Sequence, residues 1–73
     1  MSHQVNAELV ANVLKVVARK GDRVAPEDTL VILESMKMEI PVQAEVTGTI
    51  CEIGVNEGDV VTEGDLIADI DED

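Results

Sequence analysis

Shifted against itself by 37 positions, the chain repeats: Gly21-Asp22-Arg23-Val24 falls on Gly58-Asp59-Val60-Val61, Asp28 on Asp65, Leu30 on Ile67, Leu33 on Ile70 and Glu34 on Asp71. Upstream, Val13, Val16 and Ala18 fall on Ile50, Ile53 and Val55. A repeat this long implies one half-domain used twice, with the halves related by a pseudo-twofold axis. The chain of 73 residues is then a single domain, 1–73, with residues 1–4 and 72–73 expected to be loose. Residue 37 has its counterpart where the chain begins and ends, so it should lie across the molecule from both termini.

Each half reads as short strands broken by turns. Val13–Val17, Thr29–Leu33, Met38–Gln43, Thr49–Val55 and Leu66–Ile70 are rich in β-branched residues, and Asp, Gly or Pro bounds several of them. The apolar positions 13, 16, 18 and 50, 53, 55 change from a step of three to a step of two, which a β-bulge at the same place in each half would explain. Gly21-Asp22 and Gly58-Asp59 supply tight turns, and Pro26 suits the second position of another. No stretch carries a helical period with caps at both ends. Five to eight short strands left as an open sheet would expose pairing edges, so an all-β fold is expected: a flattened β-barrel or sandwich of two sheets.

Phe, Tyr and Trp are absent, so the core must be made of Val, Ile, Leu, Ala and Met, with little room for a deep small-molecule pocket. A formal net charge of −11 repels phosphate backbones and anionic lipid. With no basic stripe and no aromatic stacking platform, nucleic-acid binding is excluded. Cys51 is single, which rules out an intrachain disulfide and is expected to leave a small buried hydrophobe. His3 has no metal-ligating or catalytic neighbours in sequence, and no metal site is expected. No signal peptide or membrane span is read, and a cytoplasmic protein, monomeric when free, is expected.

What remains is Glu34-Ser35-Met36-Lys37-Met38-Glu39 at the junction of the two halves. Read alone, residues 29–43 form one long strand. With the repeat, the paired Gly-Asp turns, Gly48-Thr49-Ile50 and Gly64-Asp65-Leu66-Ile67, the chain from about Val5 to Ile70 resembles the biotinyl/lipoyl attachment domain family. The Met-Lys-Met tripeptide places it in the biotinyl branch. That resemblance implies the hammerhead-type barrel, with Lys37 on a sharp turn between two strands. A two-residue turn at Met36-Lys37 would need φ > 0 at both residues. Ser35 stands where the family has Ala. Ala11-Asn12 replaces the Gly that opens the first repeat, and Glu27 stands where Gly64 does in the second half.

The resemblance also implies a non-catalytic carrier. A biotin protein ligase would attach biotin to Lys37, with Met36 and Met38 as apolar recognition elements and Glu34, Ser35 and Glu39 as further ligase contacts. The arm would then carry carboxyl groups from a biotin carboxylase to a carboxyltransferase. A lysine side chain is an ammonium at neutral pH. Nothing in the sequence offers a base to deprotonate it, so activation falls to the ligase. The same fold also serves as a lipoyl carrier, whose lysine follows an acidic residue and precedes a small one, or as an unmodified docking module.

Overall fold

The computed structural model describes residues 2–73 as eight strands: β1 (Ser2–Asn6), β2 (Ala11–Val16), β3 (Arg23–Val24), β4 (Thr29–Ser35), β5 (Met38–Gln43), β6 (Gly48–Ile53), β7 (Val60–Val61) and β8 (Leu66–Glu72). They form two antiparallel four-stranded sheets, ordered β1-β8-β6-β3 and β5-β4-β2-β7. A shift of 37 residues carries β6, β7 and β8 onto β2, β3 and β4, and β5 onto β1. Each sheet therefore draws strands from both halves, which is the flattened sandwich expected.

The bulges lie where the apolar spacing places them. Register slips between Val13 and Lys15 against β4, and between Ile50 and Glu52 against β8, leaving Leu14 and Cys51 unopposed. Two further slips, at Leu30 and Ile67, were not read in the sequence. They let Leu30-Val31 and Ile67-Ala68 be buried as consecutive residues, which a regular strand cannot do. With Val13, Leu33, Ile50 and Ile70 these residues make an aliphatic core with no buried polar side chain among the described residues.

Four Asp side chains hold the turns. Asp22, Asp28, Asp59 and Asp65 each accept a hydrogen bond from the backbone N–H three residues earlier, at 2.8–2.9 Å. Each also donates its own N–H back to that residue's carbonyl. The third position of three of these turns is Gly21, Gly58 or Gly64, with φ near 90°. In the fourth it is Glu27, which is not left-handed, so Pro26-Glu27 closes the same loop by a different turn. All four turns also stitch the halves together. Gly21 donates to Ile50 and Ile50 to Asp22, Gly58 donates to Val13 and Val13 to Asp59, and Gly64 donates to Ala7 and Ala7 to Asp65, while Ala44 and Glu45 donate to Asp28 and Pro26.

Three local expectations are corrected. Cys51 is exposed: it follows the buried Ile50, so alternation points it outward, and the bulge keeps Glu52 outward as well. Ser2–Gln4 are not loose but pair with Asp69–Asp71 of β8; Met1 lies outside the described residues. At the other end, β8 runs through Glu72, Asp73 N–H donates to Thr47, and the Asp73 carboxylate pairs with Arg23. The molecule measures 35 × 18 × 17 Å. The relation that exchanges β1 and β8 with β5 and β4 sets the chain ends across the axis from the β4–β5 hairpin.

Candidate functional site

The residues singled out by sequence gather on that hairpin. Across β4 and β5, Leu33 pairs with Ile40, Glu34 with Glu39 and Ser35 with Met38, leaving Met36 and Lys37 as a two-residue turn. Both have left-handed backbones, with φ of 54° and 65°, as a type I′ turn requires. Asn and Gly are the usual occupants. A side chain bearing Cβ costs about 1–2 kcal/mol there, so two such residues in succession are strained. The flanking structure overrides the cost: Val31 and Leu33 of β4 are fully buried, and β4 is bracketed by β5 and β2.

The turn projects from that anchor. Lys37 is exposed, as are Met36 at 88% and Met38 at 58%, so neither methionine is a core side chain. Pairing between β2 and β4 begins at Asn12 with Glu34, whereas in the other sheet β6 pairs with β8 one residue further out, Gly48 with Glu72. A Cβ on Gly48 would overlap the Asp71 carbonyl. Ala11, its counterpart, carries a Cβ, and the strands do not close at that point. Ser35 to Met38 thus stands beyond the edge of β2, which is the local effect of the Ala11-Asn12 departure.

Glu34 and Glu39 face each other directly, a like-charge pair that disfavours the hairpin. Neither this pairing nor its cost was read in the sequence. It could have been, since a turn centred on residues 36 and 37 fixes 34 opposite 39. Ser35 is half-buried beneath the turn. Lys37 forms no ion pair or side-chain hydrogen bond among the described residues, so its amine is free to be taken into another protein's site.

Elsewhere the surface offers little chemistry. A groove of about 230 Å³ runs between the edges of β1 and β5, lined by Val5, Leu9, Leu33, Ile40 and neighbours, with Glu8 and Glu45 as its ionisable groups. Among the described residues no three His, Cys, Asp or Glu side chains are grouped to hold a metal ion. Among the described residues no helix is long and apolar enough to cross a membrane.

An eight-stranded sandwich of two like halves, presenting a lysine on a hairpin where they join, defines a carrier-type attachment domain. The chain belongs to that family: residues 4–70 match the one described as "Biotin-requiring enzyme". It is 54% identical over 68 residues to the "Biotinylated protein TB7.3 homolog" of Mycobacterium leprae, covering 93% of this chain and 96% of the relative. It is 39% identical over 66 residues to the "Biotin/lipoyl attachment protein" of Bacillus subtilis, covering 90% of each. Among solved structures, the Kluyveromyces lactis urea carboxylase superposes with a TM-score of 0.89 at 36% identity. That match covers 96% of this chain and 6% of the enzyme.

Proposed function

We propose that this protein is a biotin carboxyl carrier, with biotin held covalently on Lys37. The observation that carries the reading is the turn itself: an unpaired, exposed lysine at the second position of a strained type I′ hairpin, between two exposed methionines. The site fits a covalently attached group. Lys37 projects past the edge of β2, and nothing in the fold would have to move to admit an acyl chain on its Nζ. Relatives named as biotinylated, or as carboxylases that carry such a domain, support the same cofactor.

In the attachment step, the neutral Lys37 Nζ attacks the acyl carbon of biotinyl-adenylate on a biotin protein ligase. An amide C–N bond forms, the acyl–phosphate bond breaks, AMP leaves, and the amine proton passes to the ligase or solvent. This chain contributes position only; deprotonation is the ligase's work. Met36 and Met38 offer flexible apolar contact to the ligase, and Glu34, Ser35 and Glu39 line the approach. Bound biotin supplies the nitrogen that accepts a carboxyl group from a biotin carboxylase and yields it to a carboxyltransferase. Tethering holds that group at an effective concentration on the order of millimolar near either site. The carrier is non-catalytic, acts in the cytoplasm and is monomeric when free.

The test is an intact mass of the purified protein after incubation with biotin protein ligase, ATP and biotin, beside Lys37→Arg. One biotinyl increment, absent from the variant, is expected. A lipoyl increment on protein from its native cell would move it to acyl-transfer chemistry. No increment at all would leave an unmodified docking module.

A further inference from the structure

Because the two sheets follow one plan, each serves as a control for the other, and their outer faces differ. The sheet that carries the Lys37 hairpin shows Val10, Leu14, Ile32, Pro41 and Val60 outward. Their counterparts 37 residues away on the other sheet are Thr47, Cys51, Asp69, Gln4 and Arg23. Val10, Leu14 and Val60 are 63%, 44% and 64% exposed. Register sets the five in two rows: Pro41, Ile32 and Lys15 beside the bulged Leu14 form one, while Val60 ends a second row of Glu39, Glu34 and Asn12 nearer the hairpin, with Val10 just before β2. The fold is satisfied by four polar residues and a cysteine at these places on its second sheet. Packing therefore does not demand apolar residues on the first.

We propose that this outer face is a docking surface for the ligase that modifies Lys37, continuous with the hairpin and engaged together with it. The inference rests on the carrier reading above. A stable protein contact covers about 800 Å² per partner, a disc roughly 16 Å in radius. A four-residue hairpin tip cannot supply that area. At about 3.4 Å per residue along a strand, Ile32 and Pro41 lie about 15 Å from the turn, inside such a disc. An enzyme acting on the unmodified amine must seat the hairpin itself, whereas enzymes that receive the finished arm can work at its length. Charge also selects the partner. Glu34 and Glu39 cross the face between the hairpin tip and the Ile32–Pro41 row on a protein of net charge −11, which disfavours a second copy and calls for basic side chains set among apolar ones on the partner.

The test is steady-state biotinylation by a biotin protein ligase with ATP and biotin, varying the carrier concentration. In V10T/L14S/P41Q/V60R, three positions take the other sheet's residue and Leu14 takes Ser for Cys51. KM for the carrier should rise about tenfold or more while kcat holds. T47V/C51L on the opposite face should leave both constants unchanged. V60R alone, which copies Arg23, serves if the combined variant loses its far-UV circular dichroism. An unchanged KM in the swapped carrier overturns the proposal. So does normal ligase kinetics with slowed carboxylation by a biotin carboxylase, which would give the face to that enzyme. A wild-type dimer that V60R converts to monomer in light scattering would give it to a second copy and also overturn the proposal. Failure of the carrier reading is separate and visible, since wild-type protein would then gain no biotin at Lys37 with any ligase, and the docking proposal would fall with it.

Discussion

Exchanging Met36 and Lys37 together for Gly or for Ala separates backbone strain from side-chain effects. Both residues are exposed, so the two double variants lose nearly the same contacts and differ mainly in Cβ. At an ordinary strand position Gly is the less stable by about 0.5–1 kcal/mol, through its backbone entropy. At φ of 54° and 65° the order should reverse. Removing Cβ relieves about 1.5 kcal/mol per residue, entropy returns roughly half of that, and the Gly pair should be more stable than the Ala pair by about 1.5 kcal/mol. For a domain of this size that is a Tm difference of about 6–12 °C. The chain has no Trp, Tyr or Phe, so unfolding must be followed by far-UV circular dichroism rather than intrinsic fluorescence. Gln43, exposed on β5 without a left-handed backbone, gives the reference sign: Gln43→Gly should be less stable than Gln43→Ala. A Gly pair at 36 and 37 no more stable than the Ala pair would refute the strain argument.

Other expectations follow from the same geometry. Gly48→Ala should cost about 2 kcal/mol or more, because the new Cβ meets the backbone carbonyl of Asp71; urea titration would read it, and a neutral result would mean β6 and β8 part freely. Asp59→Ala should lower stability by about 1 kcal/mol, by removing the acceptor of the Asn56 N–H and freeing the turn that stitches β2 to the second half. Glu39→Lys should turn the repulsion across from Glu34 into attraction, raising Tm by about 2–6 °C at low salt and less at 0.5 M NaCl. It should also slow biotinylation if the acidic pair meets basic side chains on the ligase.

The strands of six or seven residues were legible because alternation and β-branching had room to register, and the 37-residue repeat reinforced the signal. β3 and β7 have two residues apiece, too few for any period, and β1 reads as Ser-His-Gln-Val-Asn with a single buried apolar residue. Their pairing is decided by partners distant in sequence. The turn at Met36-Lys37 was equally hidden to local reasoning, since neither residue favours φ > 0; family resemblance placed it there. The net charge gave no sign that four of the acidic side chains close turns with their carboxylates, a role composition cannot reveal. Cys51 was misjudged because residue type was weighed above alternation: beside the core residue Ile50 it points outward, and the bulge changes only the facing of the residues after it.

The sheet order has a temporal consequence. β8 lies between β1 and β6, so the sheet opposite the hairpin has no centre until residues 66–72 have been synthesised. Before then β1 has no partner, and the strained turn lacks the closed core that holds it against relaxation. At about 5–20 residues per second the last half of the domain takes a few seconds to appear on the ribosome. A nascent chain would thus carry its lysine for seconds on a flexible segment before that lysine acquires its native presentation. An enzyme that reads the hairpin's shape would act only on finished molecules.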